Sequence, residues 1–235
     1  MNLKKTFFVL FLILPAMLAG QKKALDHSVY DSWKSLGSAQ ITADGNFISY
    51  EINPQEGDGT LYLYNRKSEA KDQVERGDNA SFSPEGNYFV YRVVPPYSET
   101  RQAKKDKKKP DEMPKNNLGI KIPGSDETTL VERVKSFKLP EDEGNWMAYL
   151  MEKPLPEKKE KDEAGEEEKE EGKAEAPARS RRGGGNNGAE GTELVILNPL
   201  DKEVHSFNDV VEYEIAALGT AVSYVQVKTD TTKVE

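Results

Sequence analysis

Apolar residues recur at every second position over short stretches of this chain, and those stretches pair around a glycine. The first pair runs from Ala39 to Tyr50 around Gly45, and the second from Ala80 to Tyr91 around Gly86. A third runs from Phe137 to Pro140 and again from Glu143 to Tyr149, around Gly144. The fourth and weakest runs from Tyr213 to Tyr224, around Gly219. Alternation with β-branched and aromatic residues is the pattern of half-buried strands. Glycine supplies the positive φ of a tight reversal, so each pair reads as a β-hairpin. The chain is therefore predicted to be all-β.

The hairpins form an internal repeat. Gly45 and Gly86 are 41 residues apart, which fits the roughly 40–45 residues of one four-stranded propeller blade. The next two spacings are longer, 58 and 75 residues, and each contains a charged insertion. One spans 99–117 and holds Lys104, Lys105, Lys107, Lys108 and Lys109; the other spans 153–191. A second motif recurs in the same order, as Gly59–Asn65 is echoed by Gly191–Asn198, and both are expected to be outer strands. The architecture expected is a partial β-propeller of about three to four blades of four-stranded antiparallel sheet. The alternative is an all-β sandwich.

Residues 1–20 change the picture at one end. Lys4 and Lys5 precede an apolar run from Phe7 to Leu14, then Pro15 and the small residues Ala16, Ala19 and Gly20. This is the layout of a cleaved signal peptide, too short for a comfortable membrane span. The propeller domain is then expected over 21–235, exported to the periplasm or the medium, without stable membrane insertion. From Glu157 to Gly188 the sequence is rich in Glu, Lys, Ala and Gly, too polar to offset the entropy of ordering, so disorder is expected there. The formal net charge of −8 argues against a dedicated nucleic-acid binder. With no cysteine, disulfides and thiolate metal sites are excluded.

Several segments resemble the exported prolyl oligopeptidase-type serine peptidases of bacteria. They are Tyr30–Leu36, the Ser83–Gly86 turn, Pro96–Arg101, and Met113–Ile120 after the lysine run. The resemblance extends over nearly all of 21–235. It implies a propeller that limits access to a C-terminal α/β-hydrolase domain bearing a Ser-Asp-His triad, so that short peptides are the substrate. No Gly-x-Ser-x-Gly elbow occurs in the chain, and neither His27 nor His205 has a nucleophile in a suitable context. No catalytic, cofactor-binding or metal-binding residue is therefore assigned. The chain is expected to be the non-catalytic, substrate-gating part of such an enzyme, its hydrolase domain lying beyond Glu235. The competing expectation is a stand-alone exported propeller that binds a protein or peptide, similar to TolB.

Four other signals have plainer readings. The Lys104–Lys109 run is expected to be a solvated loop, since Asp106 interrupts it and Asp111 and Glu112 follow. Gly183–Gly188 fits a dinucleotide fingerprint formally but lacks the strand before and the helix after. The acidic run Glu141–Glu143 lacks the spaced oxygen ligands of a calcium loop and reads as a solvated turn. Trp33, Trp146 and the recurrent tyrosines are expected to pack between blades.

Overall fold

A computed structural model describes Tyr30 and residues 33–153 and 190–227. The signal peptide, His27, the Gly183–Gly188 run and the stretch expected to be disordered all lie outside the described residues.

Three antiparallel sheets follow one another along the chain. The first holds β1 (Lys34–Leu36), β2 (Gln40–Ile41), β3 (Phe47–Pro54), β4 (Thr60–Asn65) and β5 (Lys71–Glu75). Both β1 and β2 pair with β3, so they are two halves of one strand interrupted at Gly37. The second sheet holds β6 (Gly77–Phe82), β7 (Phe89–Val93), β8 (Asn117–Lys121) and β9 (Thr128–Val131). The third holds β10 (Val134–Lys138), β11 (Met147–Met151), β12 (Thr192–Asn198), β13 (Glu203–Ile215) and β14 (Val222–Gln226). Each pairs its strands in chain order. The segments Gly59–Asn65 and Gly191–Asn198 therefore supply the third strand of their sheets, β4 and β12. They were expected outermost. Each has a partner on both sides because a further polar strand, β5 or β13, covers its edge.

Strand β13 belongs to two units. Its first half pairs with β12 and its second half with β14, and Asp209 at the joint has φ 60°. Arg76 between β5 and β6 (φ 60°) and Arg133 between β9 and β10 (φ 57°) stand at the same place. At each joint the carbonyl accepts a bond from the amide just past the next hairpin: Val94 to Arg76, Glu152 to Arg133, and Val227 to Asp209. Gln55 donates to Trp33 in the same way. One left-handed residue per joint thus turns the last strand of one sheet into the first strand of the next.

Period-2 alternation sorts each central strand between two neighbours. Leu61 and Leu63 meet Ala80, Phe89 and Tyr91 between the first and second sheets. Tyr88, Val90, Leu118 and Ile120 meet Val134, Met147, Tyr149 and Val195 between the second and third. Ala148, Leu150 and Leu194 meet Val210 and Tyr213 between the third sheet and the β13–β14 hairpin. The first two cores are sheet-to-sheet interfaces, and the third lies between β11–β12 and the β13–β14 hairpin. Tyr88, Tyr91, Tyr149 and Tyr213 pack in these cores as expected, whereas Tyr50 stacks on Tyr62 within the first sheet and Tyr224 is 37% exposed. Trp33 does not pack between blades: it is 52% exposed and sits edge-on to Tyr30. Trp146 stacks on His205, 5.7 Å between ring centroids, beside the last hairpin.

One element departs from the all-β plan. Helix α1 (Tyr97–Lys105) opens the first insertion, followed by a 3-10 turn at Pro110–Glu112. The lysine run, expected to be a loop, starts inside this helix. Alanine and the long lysine and arginine side chains favour helix, and Ala103 anchors it, 2% exposed.

Candidate functional site: the insertion end of the sheets

In a four-stranded antiparallel meander the connections alternate between two ends. First-to-second and third-to-fourth strand links lie at one end. Second-to-third links, and the joints between sheets, lie at the other. The predicted glycine turns therefore share one end, and Gly45, Gly86, Gly144 and Gly219 all have positive φ there. Both insertions link second to third strands, β7 to β8 and β11 to β12, so both rise from the opposite end.

The turn end is closed by backbone, short side chains and three ion pairs between neighbouring blades, Lys121–Asp72 at 2.9 Å, Lys202–Glu127 at 2.7 Å and Lys138–Glu214. A Cβ on Gly86 would meet Thr42 at 3.1 Å. Asn87 donates to the Asn145 side chain at 3.0 Å. The amides of Asp142 and Glu143 donate to the Ala217 carbonyl at 2.9 and 3.3 Å. The acidic run is thus a turn, as expected, and its backbone ties the third hairpin to the fourth.

The insertion end is held by ions. Glu56, in the five-residue link from β3 to β4, accepts from the Tyr97 hydroxyl and from Arg101, both at 2.6 Å. Asp58 accepts from the Tyr97 amide at 2.8 Å. These bonds fasten α1, an insertion of the second sheet, onto the first. Arg92 grips Asp78 with two nitrogens at 2.7 and 2.6 Å, and that carboxylate holds the guanidinium pKa above its ordinary value. Lys115 donates to the Pro110 carbonyl and pairs with Glu152 at 3.1 Å, with both side chains mostly buried. Arg133 donates to the Lys153 carbonyl at 2.6 Å. Lys153 pairs with Glu190 at 2.7 Å across the neck of the second insertion. That pair raises the lysine pKa and lowers that of the glutamate.

The charged groups of this surface can position a ligand, and among the described residues it holds no assembled nucleophile. His205, the one histidine among the described residues, contacts Glu203 and Trp146 rather than a serine. Among the described residues no three His, Cys, Asp or Glu side chains converge as a metal site would need. No helix among them is long and apolar enough to cross a membrane. Periodicity did not reveal Glu56, Arg92 or the joint residues Arg76, Arg133 and Asp209. The only signal at the joints is a change from a polar strand to an apolar one, without the glycine that usually marks a left-handed residue.

Repeated sheets joined last strand to first, with cores between neighbouring sheets, define a β-propeller: three blades and the opening hairpin of a fourth. The chain is similar to the Pyrococcus horikoshii acylaminoacyl peptidase, with 11% identity over 78% of this chain and 26% of that one and a TM-score of 0.42. For the uncomplexed form of that peptidase the identity is 11%, over 81% of this chain and 27% of that one, with a TM-score of 0.44. It is also similar to the β-propeller domain of the Trilobed protease from Pyrococcus furiosus, with 12% identity over 77% of this chain and 45% of that one and a TM-score of 0.42. The chain spans about a quarter of the length of the acylaminoacyl peptidase. No protein-family model matches the chain, and no curated protein sequence matches it.

Proposed function

We propose that this chain is the non-catalytic propeller portion of an exported serine peptidase of the prolyl oligopeptidase type. Its role is to limit admission to short peptides while a separate α/β-hydrolase domain supplies the chemistry. One observation carries this reading. The two segments with the most specific family resemblance, Pro96–Arg101 and Met113–Ile120, are the two ends of a single insertion. One opens α1 and the other leads into β8. Family-like sequence thus falls on one structural unit, at the end of the blades where the joints and both insertions gather. The signal-peptide layout of residues 1–20 supports export.

The reading predicts that the reading frame continues past Glu235 into Gly-x-Ser-x-Gly, an Asp and a His. A frame that continues without them overturns it. Purified chain is expected to leave proline-containing fluorogenic peptides uncut, and turnover that survives stringent purification refutes the non-catalytic role. A stop codon directly after Glu235, with a cooperative melt of the isolated product, would instead identify a stand-alone binding propeller.

A further inference from the structure

We propose that the basic surface formed by the last turn of α1 and the residues after it, Lys104–Lys109, is a docking site for the acidic stretch 162–171 of the same chain. The inference is independent of the peptidase reading. It starts from five exposed lysines on a short segment, relieved only by Asp106. Among the described residues none of the five makes an ion pair. Four other insertion-end cations, Arg92, Arg101, Lys115 and Lys153, each have a carboxylate partner, and Arg133 donates to a carbonyl instead.

The complementary charge lies in the neighbouring insertion. Between Asp162 and Glu171 seven acidic residues stand against Lys169 alone. Both insertions leave the same end of adjacent blades, and their bases are fastened together. Lys115, at the close of the first, pairs with Glu152 at the opening of the second. Asp111 of the first also contributes to raising the pKa of Lys153.

Reach is sufficient. The nine residues from Lys153 to Asp162 span up to about 30 Å when extended. Helix α1, nine residues long, covers only about 13 Å. Tethering at this range gives an effective concentration on the order of millimolar, so individually weak exposed ion pairs act together. A separate acidic partner would need a far higher bulk concentration to compete.

Carbodiimide cross-linking of the full chain, read by mass spectrometry, tests the proposal. The Lys115–Glu152 link serves as an internal control for folding. Links from Lys104–Lys109 to 162–171 are expected at about 20 mM salt and should fall several-fold at about 0.5 M, where the Debye length is only a few ångströms. Mixing isotope-labelled with unlabelled chain separates links within one molecule from links between copies. A second readout is trypsin cleavage in Lys104–Lys109 relative to cleavage at Arg66–Lys67. Changing Glu166, Glu167, Glu168, Glu170 and Glu171 to Gln is expected to raise that ratio several-fold. The control link without the insertion links, links only between copies, or an unchanged trypsin ratio each overturn the proposal.

Discussion

The two ends of these blades solve the same problem, joining strands and neighbouring sheets, with different chemistry. At the turn end, glycines reverse the chain and adjacent turns touch through amides, carbonyls and Asn87–Asn145, with the ion pairs Lys121–Asp72, Lys138–Glu214 and Lys202–Glu127 beside them. At the insertion end, the links are charged side chains held in pairs around α1 and the neck of the second insertion. Backbone contacts of this kind leave little room to vary, whereas the more exposed ion pairs, such as Arg101–Glu56, are each worth under about 1 kcal/mol and can be rearranged. Long insertions are thermodynamically cheap at such loops, because closure entropy grows only slowly with length. The glycine turns therefore set the geometry of the blades, and the insertion end accommodates added segments.

The largest effect should come from breaking an anchor of the turn end. Tyr88 is fully buried between the second and third sheets, and its hydroxyl donates to the Trp146 carbonyl at 3.3 Å. Tyr88→Ala is expected to cost about 3–5 kcal/mol, measured by urea denaturation. A loss under 1 kcal/mol would mean that the second and third blades do not share this core.

Alkaline pH probes the same interfaces without mutation. Burial, the leading cause, raises the pKa of Tyr88, Tyr91, Tyr149 and Tyr213, the last to about 12. A phenol whose folded pKa is raised favours the folded state fully below the unfolded value of 10.0. That contribution is lost as pH climbs toward the folded value, at about 1.4 kcal/mol per pKa unit. Thermal midpoints should thus be flat up to about pH 9 and fall between about 10 and 12, alongside the phenolate absorbance. Ionisation of all the tyrosines at about pH 10 without unfolding would contradict the burial.

A smaller loss is expected from Gly86→Ala. With φ 74° and Thr42 at 3.1 Å, the added methyl should cost about 1–2 kcal/mol. The smallest belongs to the insertion end. Glu56→Gln weakens the hold on Tyr97 and Arg101, and about 0.5 kcal/mol or less is expected, diminishing further at high salt. If Glu56→Gln cost more than Gly86→Ala, the contrast between the two ends would be reversed.

Much of the fold was legible because strands and turns leave local marks. All four glycine hairpins lie where alternation placed them, and Gly45 to Gly86 is one blade repeat. Two features were not. Helix α1 was hidden because its residues are nearly all polar; only Ala103 carries a packing signal, too little to show a helical period. The joints at Arg76, Arg133 and Asp209 were hidden because each adopts φ near 60° without glycine, under the constraint of strands on both sides.

The candidate surface was less legible than the fold. Pro96–Arg101 and Met113–Ile120 stood out as segments, yet their relation to Glu56 and Asp58, some 40 residues earlier, needs the sheets to be stacked.

What the sequence determined by itself is the periodic part: alternation set the strands, glycine set the reversals, and the repeat set the blade. What only the tertiary structure decided is which groups meet across blades. Arg101 finds Glu56, Lys115 finds Glu152, and both insertions leave from one end. Local patterns act within a few residues and can be read there. Contacts between stacked sheets join positions tens of residues apart, and their partners are chosen by the stagger and twist of whole sheets.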